Sequence, residues 1–129
     1  MIEYLTPEDL LYIHSAIISE TGGSHGLRER DVLVGITISP KQIVFGKEFY
    51  PTLFDKAAVY VREIVMRHPF VDGNKRTGIT SAFVFLDKNE YIATAKQGSV
   101  EKFAVEIAVN HLEIPEIAKW LKKNSRKQT

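Results

Sequence analysis

Residues 68–78 read HPFVDGNKRTG and lie between two segments whose apolar spacing predicts α-helices. The stretch is therefore predicted to be a loop that leads into the N-terminus of the second helix. The first turn of a helix has backbone N–H groups without partners and carries the positive end of the helix dipole. Such a helix start is a common binding place for phosphate and other anions.

The residues at the start of the second helix fit an anion site. Lys75 and Arg76 bring two positive charges into the first turn, where the dipole disfavours cations unless an anion is bound. The Gly73-Asn74 pair allows the backbone to come close to that anion. The sequence therefore predicts a phosphate-binding site here.

Two residues of the loop add possible chemistry to this site. Asp72 could hold a magnesium ion, because Mg²⁺ is usually bound by one or two carboxylates together with phosphate oxygens. His68, a residue type with a reference pKa of about 6.5, could accept a proton from an attacking hydroxyl group. No pair of histidines in the chain has the spacing of a metal-binding motif.

The two helices next to the loop are predicted from their ends and their apolar spacing. The first begins after Thr52 and ends before Pro69, because a proline pushes the preceding residue out of helical geometry. The second runs over residues 74–88, and its 79–86 portion is apolar on nearly all sides, which predicts a central, buried helix. Gly78 within it predicts the close approach of another helix or of a ligand.

The remaining chain is also predicted to be mainly α. His14 lies in the apolar stripe of the N-terminal helix of the chain, where a buried histidine with a hydrogen-bond partner is the usual case. We expect one domain over residues 1–121 and a basic, disordered tail over residues 122–129. Apolar spacing and capping residues predict further helices over residues 6–22 and 27–37, from Ser99 and from Pro115, with a short extended piece over residues 91–93.

Residues 38–52 interrupt the helical period and predict a small β-hairpin. An isolated two-stranded hairpin is marginal, so it must lean on the helices or on a partner. Two roles are open: a plain cover over the core, or a flap that captures a target polypeptide by adding a strand. The predicted strands are Ile43-Val44-Phe45 and Glu48-Phe49-Tyr50, joined at Gly46-Lys47.

The composition is that of an ordinary globular protein of 129 residues with a formal net charge of +1. Four of its cations lie in the last eight residues, which leaves +1 − 4 = −3 for the rest of the chain, so we expect no direct nucleic-acid binding. There is no cysteine, and no apolar run of membrane-spanning length or signal-peptide pattern. A cytoplasmic protein that does not bind membranes is expected.

Residues 68–76 resemble the signature of the Fic/Doc superfamily, and Lys75 makes the resemblance closest to the Doc (death-on-curing) toxins. The stretches GLR at 26–28 and YPTLFDKAA at 50–58 are similar to Doc-type stretches that occur in the same order. The resemblance extends to about residue 121. It implies a mainly α fold, a compact Fic-type helical bundle with a small β-hairpin flap.

The resemblance also implies roles for individual residues. His68 would be the general base toward the target hydroxyl, Asp72 would organise Mg²⁺, and Phe70 would be a buried anchor for the loop. Four residues would form the cradle for the ATP phosphates: Gly73, Asn74, Lys75 and Arg76. The flap that aligns the target segment would present Ile43, Val44, Phe45, Phe49 and Tyr50.

Two reactions occur in proteins that this sequence resembles. Typical Fic enzymes transfer AMP from ATP, and their motif continues GNGRxxR. Here Lys75 replaces the second glycine and Ile79 the second arginine. Both changes are similar to Doc proteins, which are described as kinases that pass the γ-phosphate of ATP to a threonine of elongation factor Tu and halt translation. Gly73 is instead the residue of the Fic pattern, so AMP transfer stays open as the alternative.

The resemblance further implies an inhibitory partner. The chain lacks the S/T-x-x-x-E-G/N segment with which some Fic proteins inhibit themselves. Inhibition would then come from a separate antitoxin whose C-terminal segment lies in a groove of this protein. The alternative from a different class is a non-catalytic module that binds a nucleotide or a partner.

Overall fold

The computed structural model describes all 129 residues and confirms the mainly α fold. Six helices share one core with 24 buried residues, and none of them is long and apolar enough to cross a membrane. The helices are α1 (Pro7–Thr21), α2 (Arg30–Ile38), α3 (Leu53–Arg67), α4 (Asn74–Lys88), α5 (Gln97–Asn110) and α6 (Ile114–Lys123). The strands are β1 (Ile43–Val44), β2 (Lys47–Glu48), β3 (Tyr91–Ala93) and β4 (Ser125–Lys127).

Helix α4 is the centre of the bundle, as its apolar sequence predicts. It packs along α3 and also contacts α1, α5 and β3. At Gly78 a Cβ atom would lie 3.1 Å from the Val61 carbonyl oxygen and 3.1 Å from Val65 Cγ2. The glycine therefore accommodates the close approach of α3, not of a ligand.

The helix starts differ in a way that matters for the site. Helices α1, α3 and α6 each begin with a capping box, in which the capping residue and the third residue of the helix bond each other's backbone N–H. Helices α2, α4 and α5 have no side-chain cap, and among the six helices only α4 has a left-handed N-cap, Gly73 with φ 76°. This end of the central helix is left open.

Two predicted helix starts are wrong. Helix α2 begins at Arg30 and not at Leu27, because Leu27 pairs with Phe70 in an isolated antiparallel bridge. Helix α5 begins at Gln97, and the Ser99 hydroxyl bonds the carbonyl oxygen of the N-cap Lys96 inside the first turn. The start of α2 is set by a tertiary contact and the start of α5 by a hydrogen bond to a nearby backbone carbonyl. Residue propensities alone predict neither contact.

The predicted disordered tail is also wrong over most of its length. Helix α6 extends to Lys123, and β4 pairs with β3 in antiparallel register, with Ile92 opposite Arg126. The backbone N–H of Gln128 donates to the carbonyl oxygen of Glu90 as well. Backbone hydrogen bonds to β3 order the tail, and the charged composition of the tail does not reveal this pairing.

The predicted hairpin is present, with a turn one residue earlier. Phe45 and Gly46 form the turn and have φ values of 50° and 77°, as a two-residue turn of the primed type requires. Phe45 is thus a turn residue, Lys47 belongs to β2, and Phe49 and Tyr50 follow the strand.

We expect Gly78→Val to lower the free energy of unfolding by about 1–3 kcal/mol, because the added side chain has no space between α3 and α4. The matched control is Gly98→Val, since a Cβ at Gly98 meets no atom within 4 Å. The control should stay within about 0.5 kcal/mol of the wild type. Urea unfolding of the three proteins measures both values, and equal stabilities would contradict the close helix contact.

Candidate active site

The loop between α3 and α4 begins with a left-handed residue. His68 ends α3 with φ 49° and ψ 61°, and its backbone N–H donates to the Ile64 carbonyl oxygen at 3.2 Å. A non-glycine residue in this conformation is uncommon and is kept only where its surroundings hold it. The turn directs Pro69 and Phe70 into the core and leaves His68 exposed.

A second segment braces this loop from outside. The Arg28 N–H donates to the Pro69 carbonyl oxygen at 2.7 Å, and the Val71 N–H donates to the Gly26 carbonyl oxygen at 2.8 Å. A Cβ at Gly26 would lie 2.7 Å from Val71 Cγ2, so only glycine allows this approach. The GLR stretch at 26–28 thus acts as a partner strand for the loop.

The side chain of Asn74 ties the two ends of the loop together. Its Oδ1 accepts the Phe70 N–H at 3.1 Å, and its Nδ2 donates to the Phe70 carbonyl oxygen at 2.9 Å. The same Nδ2 lies 3.4 Å from Nδ1 of His68. Asn74 is buried, and its side chain bonds the loop backbone, whereas its backbone N–H lies at the open start of α4.

His14 contacts the loop from its buried side. Its Nε2 donates to the Asp72 carbonyl oxygen at 2.8 Å, and its ring stacks on Phe70 with a centroid distance of 3.8 Å. The side chain is only 2% exposed, and burial lowers the pKa of His14 below its usual range. The neutral ring therefore carries its proton on Nε2. The interpretation of His14 as a buried, hydrogen-bonded histidine is confirmed.

The carboxylate of Asp72 is oriented by two backbone donors. Its Oδ1 accepts the Gly73 N–H at 2.9 Å, and its Oδ2 accepts the Ser24 N–H at 3.3 Å. A Cβ at Gly23 would lie 2.6 Å from Oδ2, which explains the glycine there. No cluster of three potential metal ligands exists in the chain. A cation at this loop would have Asp72 as its protein ligand, with phosphate or water oxygens completing its shell.

The open start of α4 provides three backbone donors. The N–H groups of Asn74, Lys75 and Arg76 have no hydrogen-bond partner in the chain. They point from the positive end of the helix dipole, and Gly73 has no side chain to cover them. This is the geometry that suits an anion.

A cavity of about 390 Å³ lies at this helix start, between α4 and α5. Five residues predicted for the site line it, Asp72, Gly73, Asn74, Lys75 and Arg76, and Ile79 lines it as well. The α5 side supplies Gln97, Val100, Glu101, Ala104 and Val105, and Thr80 completes the lining. His68 does not line the cavity, but its Nδ1 lies 3.4 Å from Nδ2 of Asn74, which does, and Phe70 is buried.

The wall formed by α5 was missed by the sequence analysis. Arg76 Nη2 donates to Glu101 Oε1 at 3.0 Å, and Gln97 Nε2 donates to the same oxygen at 3.3 Å. Lys75 forms no ion pair and is exposed. No local signal identifies Glu101, because it is 25 residues from Arg76 and only the packing of α5 on α4 brings them together.

The hairpin lies apart from this cavity. Most of its apolar side chains are exposed, with Phe45 fully so, and none of them lines the cavity. Tyr50 is half-buried, and burial raises the pKa of its hydroxyl, which stays neutral at physiological pH. The flap residues predicted from the sequence therefore form an exposed apolar surface: Ile43, Val44, Phe45 and Phe49.

The fold and the site define a mainly α protein with an uncapped, cationic helix start beside a histidine-bearing loop. The sequence profile of the Fic/DOC family matches residues 4–86, which include the whole loop. The chain is 33% identical to toxin Doc of Mycolicibacterium smegmatis over 120 residues, 92% of this chain and 90% of that protein. It is 34% identical to protein kinase doc of Escherichia phage P1 over 88 residues, 68% of this chain and 69% of that protein. The chain belongs to the Fic/DOC family.

We expect the buried His14 to make folding pH-dependent. Its pKa is lowered in the folded state, so below about pH 6.5 the unfolded chain takes up a proton that the folded chain does not. Stability should therefore fall as the pH decreases from 7.5 toward His14's lowered pKa. A His14→Gln variant, which retains an N–H donor, should lose less stability over this interval in urea unfolding.

The control for this measurement is His111→Asn, because His111 is exposed at the end of α5 and is not among the groups that shift the pKa of His14. This variant should show the same pH dependence as the wild type. An unchanged pH dependence in His14→Gln would contradict the assigned role of burial.

Proposed function

We propose that this protein is the toxin of a type II toxin–antitoxin pair and a Mg²⁺-ATP-dependent protein kinase. Its proposed target is a serine or threonine hydroxyl of a translation protein, elongation factor Tu by family resemblance. The observation that carries the proposal is the open start of α4, with three unpaired N–H groups beside a loop that bears His68 and Asp72.

The charges and the open space at the start of α4 suit a phosphate cradle. Three backbone donors, the dipole of α4 and the free ammonium of Lys75 all favour a polyphosphate at the cavity. Arg76 adds a guanidinium, which its ion pair with Glu101 holds at the cavity wall. Both side chains of this pair are substantially exposed, so the pair costs little to open when a phosphate competes.

His68 is proposed as the general base. In the transfer, the target hydroxyl gives its proton to the imidazole, its oxygen forms a bond to the γ-phosphorus, and the bond from that phosphorus to the β-phosphate oxygen breaks. Asp72 is the residue that would hold Mg²⁺, which neutralises phosphate charge when bound. The contacts of Asn74 and His14 hold this loop in place before substrate binds.

A kinase is favoured over an AMP transferase by the residues of the cavity. Lys75 stands where the Fic pattern has a second glycine, and Ile79 where it has a second arginine, and both line the cavity. A relative of similar sequence is named protein kinase doc. AMP transfer stays the second candidate, because Gly73 is the residue of the Fic pattern.

The partner of the proposed toxin is an antitoxin whose C-terminal segment occupies a groove of this protein. A relative that covers most of this chain is named toxin Doc. Because the proposed target works in translation, we place the protein in the cytoplasm.

Label transfer tests the reaction. Wild-type protein with Mg²⁺ and a bacterial lysate should label one protein from ATP carrying ³²P at the γ position and none from ATP carrying it at the α position. Asp72→Asn should abolish the label, since the charge proposed to hold Mg²⁺ is gone. Label from the α position only would establish AMP transfer instead, and no label from either position would favour a non-catalytic binding module.

Growth tests the toxin. Expression of the wild type without an antitoxin should arrest bacterial growth, and His68→Asn should abolish the arrest. Asparagine tolerates the left-handed conformation of His68, so the backbone is retained while the base is lost. His111→Asn is the matched control, because His111 ends α5 with φ 50° and is outside the site. Unimpeded growth with soluble wild-type protein would contradict the proposal.

A further inference from the structure

We propose that Lys56 is a positioning residue that holds the hairpin of residues 43–50 in place and so sets how tightly the protein substrate binds. This inference rests on the proposed function, because it assigns the substrate to the hairpin. Lys56 lies on α3, which also carries His68 at its far end, so one helix would support both the flap and the base.

The hairpin has little to stabilise it by itself. Its strands have two residues each, with Ile43 opposite Glu48 and Val44 opposite Lys47. Every residue of both strands is exposed, and neither apolar strand residue belongs to the core, with Ile43 65% and Val44 38% exposed. A hairpin of this size is not stable alone in water, and something outside its ladder must hold it.

The ammonium of Lys56 supplies that support. The side chain is fully buried, and its Nζ donates to the Pro40 carbonyl oxygen at 3.3 Å, to Glu48 Oε1 at 2.8 Å and to the Tyr50 carbonyl oxygen at 2.5 Å. An ammonium group has three N–H donors, and all three are used. The Tyr4 ring lies 5.8 Å from the same nitrogen.

The three acceptors of Lys56 flank or belong to the hairpin. Pro40 precedes β1, Glu48 belongs to β2, and Tyr50 follows β2, so one buried charge binds both ends of the hairpin. The ion pair of Lys56 with Glu48 is also the one pair in this chain that contains a fully buried side chain. Removing either partner of such a pair has a large effect, because the other is left uncompensated.

The effect on function follows from how a flap binds a peptide. A strand can add to an edge only when the edge has a fixed register and position. A loose hairpin would have to be ordered during binding, which weakens the binding of the protein substrate. Lys56 does not line the cavity, so ATP binding and the transfer step should be unaffected.

Two variants test the inference, Lys56→Met and Glu48→Gln. Both should exchange the amide hydrogens of residues 42–50 about tenfold faster than the wild type, because a charge-assisted bond that holds the segment is lost. The KM for elongation factor Tu should rise by about tenfold for the same reason, with kcat and the Kd for ATP unchanged. Glu48→Gln retains the buried lysine and its two carbonyl partners, so it reports on the inference even if Lys56→Met does not fold.

The matched control is Glu8→Gln, which removes the same charge from an ion pair of exposed side chains with Arg30. This variant should match the wild type in hairpin exchange and in KM. Unchanged hairpin exchange in Glu48→Gln would overturn the inference, as would faster exchange with an unchanged KM. If the wild type does not modify elongation factor Tu, the proposed function fails for that target, and hairpin exchange alone then decides whether Lys56 holds the flap.

Discussion

Two hydrogen bonds from the Asn74 side chain to the backbone of Phe70 hold the loop on which the site depends. They close a turn of five residues, 70–74, at the point where the loop after α3 enters α4. His14 adds a third bond, to the Asp72 carbonyl oxygen, and fills the space behind the loop by stacking on Phe70. The loop can therefore keep His68 in a left-handed conformation that is otherwise disfavoured.

The start of α4 is destabilising for the fold and suited to a ligand. Helices α1, α3 and α6 begin with capping boxes, whereas α4, like α2 and α5, has no side-chain cap, and its first turn contains two cations. A side-chain cap contributes about 1 kcal/mol, so the open end lowers stability unless an anion replaces the cap. Glu101 and Gln97 partly offset the charge of Arg76, but Lys75 has no partner. Natural proteins tend to accept such costs at functional sites.

The loop that bears His68 and the hairpin differ in how they are attached to the core. The loop is anchored in the core through Phe70, and α3 and α4 approach so closely that only glycine fits at position 78. The hairpin, by contrast, presents apolar side chains to solvent and touches the body mainly through buried polar contacts of Lys56. A rigid site beside an exposed edge that Lys56 holds in position is a combination that suits the proposed action on another protein.

Local sequence determined the helices, because apolar periodicity, prolines and capping residues act within a few positions. It identified α4 to the residue, and it identified the loop because the polar residues of the site are contiguous. Tertiary structure decided the rest. The pairing of Leu27 with Phe70, the strand at residues 125–127 and the contact of Glu101 with Arg76 join residues far apart in the chain. Such contacts depend on how the helices pack, and helix packing cannot be predicted from a short stretch of sequence.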